Sequence, residues 1–147
     1  MRLAAFATAI GLVTLSSTAL TAQTTGTDAE KKAVRVALEH YLAGHATGDG
    51  AHYRLAFQDS ANLYWFREGQ FRIRTSRDFA ASAPGKPADD EARRKRSIDF
   101  IDVVGTAAVA RITLDYPEVT FTDYMSLVKI GDEWKIVSKI FDANRKQ

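Results

Sequence analysis

The chain has 147 residues, no cysteine and a formal net charge of +2 at neutral pH. Without cysteine, neither a disulfide framework nor thiolate chemistry is available to it. The near balance of 20 basic and 18 acidic residues argues against a dedicated nucleic-acid-binding domain, which is usually clearly basic.

The N-terminal segment has the organisation of a secretory signal peptide. Arg2 supplies a positive charge, and residues 3–20 are apolar or small with no acidic side chain. A small residue at Ala22 predicts cleavage there, with Ala19 as the alternative site. We therefore expect residues 1–22 to direct export to the periplasm or the medium. An uncleaved membrane anchor is the less favoured alternative, because hydroxyl residues interrupt the ~20 apolar residues that a span requires.

The remaining residues, 23–147, have a length typical of one domain, and two helices are predicted at its start. Thr27 and Glu30 have the spacing of a capping box, which predicts a helix beginning there and ending near Gly44. Asp49 is placed to cap a second, shorter helix through Phe57. The apolar stripe of the first helix is Val34, Leu38, Tyr41 and Leu42.

Strands are predicted from the alternation and the turn residues that follow. Two short strands are expected at residues 62–66 and 71–74, with Ser76 capping a brief helical turn after them. An exposed loop over residues 83–91 then precedes two long strands, residues 93–104 and 107–116.

Residues 120–141 give the strongest hairpin signal in the chain, with Gly131-Asp132 at the turn. We assign the face formed by Trp134, Ile136, Ser138 and Ile140 to the interior. The opposite face carries Lys135, Val137, Lys139 and Phe141, and this mixture predicts a partly covered outer surface. On the preceding strand, Asp123 shares a face with Lys129.

This order of elements predicts an α+β fold in which a cone-shaped, curved antiparallel sheet wraps around N-terminal helices. Such a cone encloses an interior cavity. The domain is expected to span residues 23–147.

Four short motifs resemble those of the nuclear transport factor 2-like superfamily. They are Gly48-Asp49, the sequence AFQDSA at residues 56–61, FTDY at residues 121–124 and WKIV at residues 134–137. More narrowly, they are similar to the bacterial proteins described as "putative lumazine-binding". The resemblance implies a cystatin-like cone, a small-molecule ligand and a homodimer formed through the outside of the sheet.

The resemblance also has departures that limit what it implies about chemistry. Gln58 and Asp142 stand where histidine is common in the family, so no role of those histidines is carried over. The superfamily includes isomerases, dehydratases, epoxide hydrolases and domains without known chemistry. Fold-level resemblance therefore implies no reaction by itself.

One candidate site is a carboxylate in an apolar pocket with a tyrosine as hydrogen-bond donor, formed by Asp123 and Tyr41 with Asp115 behind them. Proton-shuttling relatives use such a pair, since burial raises a carboxyl pKa and a phenol stabilises a developing oxyanion. The alternative is a solvated aspartate near a strand end, paired with an Arg or Lys. The face that Asp123 shares with Lys129 favours this alternative.

Metal and anion sites receive less support from the sequence. His40 and His45 are five residues apart on one helix, which places them on different faces, and His52 lies beyond a turn. No metal or other cofactor is therefore expected. The basic residues Arg72, Arg74 and Arg77 are consistent with an anion-binding rim, but a solvated charged strand face is favoured.

We expect the protein to bind a small aromatic or apolar molecule, with Tyr41, Tyr64, Trp134 and Ser138 as ligand contacts. The main alternative is an isomerase, dehydratase or hydrolase that uses Asp123 and Tyr41. A third alternative is a dimeric interaction module whose cone is filled by its own side chains. Binding without catalysis is the favoured expectation.

Overall fold

The computed structural model describes residues 26–147, so the predicted signal segment lies outside the described residues. The helices are α1 Asp28–Thr47, α2 Gly50–Ala56 and α3 Ser76–Ala81. The strands are β1 Phe57–Arg67, β2 Gln70–Thr75, β3 Lys95–Val104, β4 Ala107–Asp115, β5 Val119–Ile130 and β6 Glu133–Arg145. Within residues 26–147, no helix has both the length and the hydropathy that crossing a bilayer requires.

The start of α1 confirms the capping box. The backbone N–H of Glu30 donates to Thr27 Oγ1 at 3.2 Å, and Glu30 Oε2 accepts from the Thr27 backbone at 2.8 Å. The helix passes through Gly44 and ends at Gly48, which has a φ of 71°. A Cβ on Gly44 would lie 2.5 Å from the ring of Tyr53. Gly44 therefore allows α1 and α2 to approach each other and does not end the helix.

The caps of the two short helices follow the same local rules. Asp49 caps α2 by accepting from the backbone of Ala51 at 2.8 Å, as predicted. The cap of α3 is Thr75, which accepts from the backbone of Asp78 at 3.1 Å. Ser76 is instead buried and donates its hydroxyl to the carbonyl of Gln58 at 3.0 Å. The sequence prediction placed this cap one residue too late.

The sheet confirms the α+β architecture predicted from the sequence. Its six strands follow the order β2-β1-β6-β5-β4-β3, and the curved sheet does not close into a barrel. All neighbouring strands are antiparallel except β1 and β6, which run parallel. The helix α1 packs against β3 and β6, so the core lies between the helices and one face of the sheet.

A β-bulge in β6 changes which side chains face the core. Ser126 of β5 pairs with Ser138, whereas Leu127 pairs with Ile136, so Val137 has no partner across the strands. One extra residue in a strand shifts the two-residue alternation by one position. Side chains at even-numbered positions therefore face the core before Val137, and side chains at odd-numbered positions face it afterwards.

The bulge corrects the sequence-based orientation of β6. Trp134 and Ile136 lie in the core as predicted, with exposed fractions of 4% and 0%. Beyond the bulge, Lys139 points inward and is only 4% exposed, while Ile140 points outward and is 54% exposed. Ser138 also lies on the outer face of the sheet. The strict alternation assumed from the sequence holds only as far as the bulge.

Candidate functional site

Three polar side chains meet in the core and form a hydrogen-bonded cluster, the Tyr41–Asp123–Lys139 cluster. The Tyr41 hydroxyl donates to Asp123 Oδ2 at 2.6 Å. Lys139 Nζ donates to Asp123 Oδ1 at 2.8 Å and to the Tyr41 hydroxyl oxygen at 3.0 Å. Tyr41 and Asp123 have no exposed surface, and all three side chains are buried.

The cluster draws one residue from each of three elements. Tyr41 lies on the apolar stripe of α1, and Asp123 lies on β5 with Met125 and Leu127, which are buried on the same face. The apolar partners decide this orientation, because turning β5 over would expose both of them. The expectation that Asp123 lies on an outer, solvated face is therefore wrong. Lys139 reaches the cluster because of the bulge.

Burial sets the protonation behaviour of the cluster. Desolvation lowers the pKa of the Lys139 amine, and the charge and hydrogen bond of Asp123 oppose this shift. Burial, followed by the charge of Asp123, holds the pKa of Tyr41 well above its ordinary value. Tyr41 therefore remains a protonated donor at neutral pH. Two opposing influences therefore act on the pKa of Lys139, a situation typical of sites where amines react.

Next to the cluster lies a cavity of about 200 Å³, which we call the aromatic cavity. Its rings are those of Trp65, Phe79, Phe121 and Phe141, and its polar residues are His45, Arg74 and Lys139. The rings of Trp65 and Phe141 stack with centroids 5.3 Å apart. Lys139 Nζ lies 4.1 Å from the centroid of Phe141, so the amine contacts the face of a ring that lines the cavity.

A larger hollow of about 650 Å³ adjoins the aromatic cavity. Trp65, Phe121 and Phe141 line both spaces. The larger hollow contains neither His45 nor Lys139 in its lining. We therefore assign the site to the smaller space, where the reactive groups are, and regard the larger hollow as its approach.

His45, which lines the aromatic cavity, has a buried polar atom without a hydrogen-bond partner among the described residues. Arg96 Nε, which can only donate, lies 3.4 Å from the Tyr116 hydroxyl. Because the Tyr116 oxygen accepts there, its own proton is available for His45 Nδ1 at 3.2 Å. A neutral His45 then carries its proton on Nε2, which is buried and has no hydrogen-bond partner among residues 26–147.

The protonation state of His45 follows from its surroundings. Burial, with smaller contributions from the positive charges of Lys139, Arg96 and Arg94, lowers the pKa of His45 to about 3. The ring is therefore neutral at neutral pH. Its Nε2–H is a hydrogen-bond donor for which the described residues supply no acceptor.

Three of the predicted ligand contacts lie away from the aromatic cavity. Tyr64 points to the opposite face of β1 from Trp65 and stacks on Phe71, with 6.1 Å between ring centroids. Ser138 lies on the outer face of the sheet beside Ser126. Trp134 is in the core but borders a different hollow, near His40. Tyr41 contacts Lys139 in the core but does not line the cavity either, so the assignment of all four side chains to one pocket is corrected.

Sequence reasoning missed Lys139 and His45, the two polar residues that matter most at the cavity. Lys139 was assigned to the outer face, because alternation across Val137 was taken as unbroken. A signal was present in the sequence, since Lys139 is a single charged residue within the apolar run IVSKIF. His45 lies four residues after Tyr41, so both lie on the same side of α1.

The remaining candidates have ordinary structural roles. Asp115 forms a salt bridge with Lys146, with 2.6 Å between Oδ1 and Nζ, near the surface and away from the Tyr41–Asp123–Lys139 cluster. Arg77 pairs with Asp59 at 3.1 Å in an exposed position. Arg74 reaches the aromatic cavity, while its Nη2 donates to the carbonyl of Asp78 at 3.0 Å. The three arginines therefore do not form a common anion-binding rim.

His40 and His45 lie in different places, as their spacing on α1 predicted: His45 lines the aromatic cavity, and His40 borders a different hollow. His40 and His52 approach each other, with 3.3 Å between their Nδ1 atoms. Within the described part of the chain, no group of three or more His, Cys, Asp or Glu side chains is placed to hold a metal ion. A pair of imidazoles alone does not complete a metal site.

Comparison with known proteins gives a consistent family. The family described as "Putative lumazine-binding" matches residues 29–142. A curated relative, "Aldolase FrzH" of Cladobotryum sp, is 28% identical over 122 residues, covering 80% of this chain and 94% of the relative.

Solved structures agree on the fold. An NTF2-like protein of unknown function from Shewanella baltica OS155 has a TM-score of 0.73 and 28% identity, covering 82% of this chain and 99% of that chain. A cystatin-like fold protein from Burkholderia xenovorans LB400 has a TM-score of 0.61 at 12% identity, covering 86% and 100%. The second similarity supports the fold alone.

Proposed function

Since this chain belongs to the "Putative lumazine-binding" family of NTF2-like proteins, we propose that it binds a small, largely apolar molecule carrying a hydrogen-bond acceptor in the aromatic cavity. The observation that carries this proposal is that His45, a residue lining the cavity, has a buried Nε2–H without an acceptor among the described residues. A buried donor without an acceptor is costly, on the order of 1–3 kcal/mol. A ligand oxygen at this position would remove that cost.

The shape of the cavity limits the ligand. A volume of about 200 Å³ lies below the ~300–1,000 Å³ typical of sites for drug-sized ligands. One or two fused rings between Trp65 and Phe79 match such a space. A longer substituent would extend past Trp65 into the larger hollow, whose lining includes the charged residues Glu118 and Arg145.

We expect lumazine or acetophenone to quench the fluorescence of Trp65 in a saturable titration. The other tryptophan, Trp134, is removed by Trp134→Phe, so that the signal reports on the cavity alone. His45→Phe should weaken binding roughly tenfold because it removes the donor, whereas His45→Gln retains an N–H and should bind more tightly than His45→Phe.

The control for this titration is His40→Phe, on the same helix but outside the aromatic cavity. It should leave the affinity unchanged. Absence of saturable quenching by both probes, or equal affinities for His45→Phe and the parent protein, would contradict the proposal.

A second candidate function is catalysis at a carbonyl group. The observation that favours it is Lys139, which lines the cavity and donates hydrogen bonds to Tyr41 and Asp123, and the relative named an aldolase supports it. An isomerase or hydrolase in which Asp123 takes a proton directly from the substrate has less support, because Asp123 does not line the cavity and its oxygens accept hydrogen bonds from Tyr41 and Lys139. A filled interaction module is also disfavoured, since the cavity is not occupied by side chains.

We also propose that two copies associate through the outer face of the sheet. Exposed apolar side chains cluster there, including Phe100, Val109, Tyr124 and Ile140, with exposed fractions of 42–54%. A contiguous apolar surface of this kind marks an association site more often than a solvated face.

Ile140→Lys is expected to convert a dimer into a monomer in sedimentation-velocity measurements. A charge at the centre of an apolar interface must lose its hydration on association, which opposes binding. Val36→Lys on α1 is the matched control, since Val36 is similarly exposed at 53% but lies on the helical side. A monomeric parent protein, or equal dimer content in both variants, would refute the proposed interface.

We further propose that the protein is exported after removal of residues 1–22. The charged start, the apolar segment and the small residue at Ala22 support this proposal. N-terminal sequencing of protein recovered from a periplasmic fraction should begin at Gln23. Recovery of the full-length chain in the cytoplasm alone would contradict it.

A further inference from the structure

We propose that Lys139 is a nucleophilic amine that condenses with a small aldehyde or ketone in the aromatic cavity, forming a protonated Schiff base. This inference rests on the proposed function, because the carbonyl compound must first occupy the cavity. It assigns a chemical class to the ligand and a reacting atom to the protein.

The position of Lys139 is the first argument. Lys139 is the one lysine among residues 26–147 that is buried. Its Nζ donates to Asp123 and to Tyr41, and no third hydrogen-bond partner is present within the described residues. The same residue lines the aromatic cavity, and its Nζ also lies 4.1 Å from the centroid of the Phe141 ring, which lines the cavity too.

The partners of Lys139 supply the proton transfers that condensation requires. The ammonium passes one proton to the Asp123 carboxylate, over a hydrogen bond of 2.8 Å, and becomes a neutral amine. The nitrogen lone pair then forms a bond to the carbonyl carbon, while the π electrons of the C=O bond move to oxygen. That oxygen receives the proton from Asp123 through the Tyr41 hydroxyl, which is hydrogen-bonded to both Asp123 and Lys139.

Loss of water completes the step. The nitrogen of the adduct returns a proton to Asp123, and Asp123 delivers it to the hydroxyl, which leaves as water when the C–O bond breaks. The net change is ammonium plus carbonyl compound to iminium plus water, with Asp123 a carboxylate at the beginning and the end. Atoms and charge balance, and no oxidant or reductant takes part.

The charge balance explains why an acidic partner is compatible with an amine nucleophile. The iminium carries the same single positive charge as the ammonium, so Asp123 remains paired throughout. An unpaired buried charge would cost several kcal/mol, and this arrangement avoids one at both ends of the step. Burial disfavours charge on the amine and helps the neutral form to appear, whereas the face of the Phe141 ring favours the cationic ammonium and iminium.

The groups that face the amine decide its dependence on pH. Asp123 and Tyr41 contact it directly, and His45 and Arg74 line the same cavity. Burial lowers the pKa of Lys139, although Asp123 opposes this effect. Reaction of Lys139 should therefore persist to lower pH than reaction of an exposed lysine.

The test is competitive reductive alkylation of the unmodified protein with limiting benzaldehyde and cyanoborohydride, which reduces iminium ions. Peptide mapping then compares the rate of benzyl attachment at Lys139 with the rate at Lys129, an exposed lysine on the neighbouring strand. We expect Lys139 to be modified at least roughly tenfold faster at neutral pH, as an activated amine. Modification of Lys129 before Lys139 would overturn the proposal, because a buried, permanently paired lysine should react last.

A parallel measurement separates this inference from the proposed function. Benzaldehyde without reductant should quench Trp65 in the Trp134→Phe protein, which reports occupancy of the cavity. Quenching without preferential alkylation of Lys139 would overturn the Schiff-base proposal and leave ligand binding standing. No quenching by benzaldehyde, lumazine or acetophenone would overturn both. The mapping uses the native lysine, so it does not depend on the folding of a Lys139 variant.

Discussion

Replacing Lys139 by methionine is expected to lower the free energy of unfolding by about 3–5 kcal/mol, because Asp123 is left buried without its cation. Asp123→Leu should cost a similar amount by leaving the ammonium unpaired. The ion pair is almost fully buried, with side-chain exposures of 5% for Lys139 and 0% for Asp123, so solvent gives little relief. Urea unfolding measured by far-UV circular dichroism checks both values.

The combined variant separates the cost of breaking the cluster from its net contribution. Tyr41→Phe/Asp123→Leu/Lys139→Met removes all three polar groups, and its stability should return close to that of the parent protein or exceed it. Lys129→Met, at an exposed position of β5, should change stability by less than about 0.5 kcal/mol. If the triple variant is as unstable as the sum of the single variants, the cluster contributes net stability and the expectation is wrong.

Acidification should destabilise the protein through His45. The pKa of His45 is about 3 in the folded protein, against an ordinary value of 6.5 that applies when the chain is unfolded. Between these values the unfolded chain binds the additional proton, so the free energy of unfolding falls as the pH falls. The free energy of unfolding changes by up to about 1.4 kcal/mol per pH unit between pH 6.5 and pH 3. The stability that the neutral His45 contributes is fully present above pH 6.5.

The difference in unfolding free energy between the parent protein and His45→Gln isolates this effect, since the carboxylates are common to both. From pH 7 to pH 4, the free energy of unfolding of the parent protein should fall steadily relative to that of His45→Gln, by several kcal/mol in total. His52→Gln is the control and should retain the steep dependence of the parent. A difference that does not change with pH would show that His45 titrates similarly in both states.

Local sequence rules predicted much of this fold correctly. Thr27 and Asp49 cap their helices as expected, since these caps depend only on residues within one turn. The turn at Gly131 has a φ of 62°, a conformation that glycine adopts without strain. The orientation of Trp134 was also correct, because it lies before the bulge.

The errors arise where a distant contact overrides a local pattern. Gly44 resembles a helix end, but its packing against Tyr53 is fixed by the fold of α2 back onto α1. Asp123 resembles a solvated residue until Lys139 is placed beside it, and that placement requires the register of β5 against β6. The site could not be predicted because it depends on the pairing of β5 with β6, which the alternation within one strand does not encode.

The bulge at Val137 has a consequence for how such a site can arise or disappear. If Val137 were accommodated in a regular strand without a bulge, the following residues would keep the alternation that begins at Trp134, and the amine of Lys139 would face solvent. Deletion of Val137 would instead remove the extra residue and leave Lys139 opposite Met125 with its side chain inward. The bulge, and not residue type alone, therefore determines which side chains of β6 border the cavity, and a comparison of aligned residue types that ignores the bulge would overlook the difference.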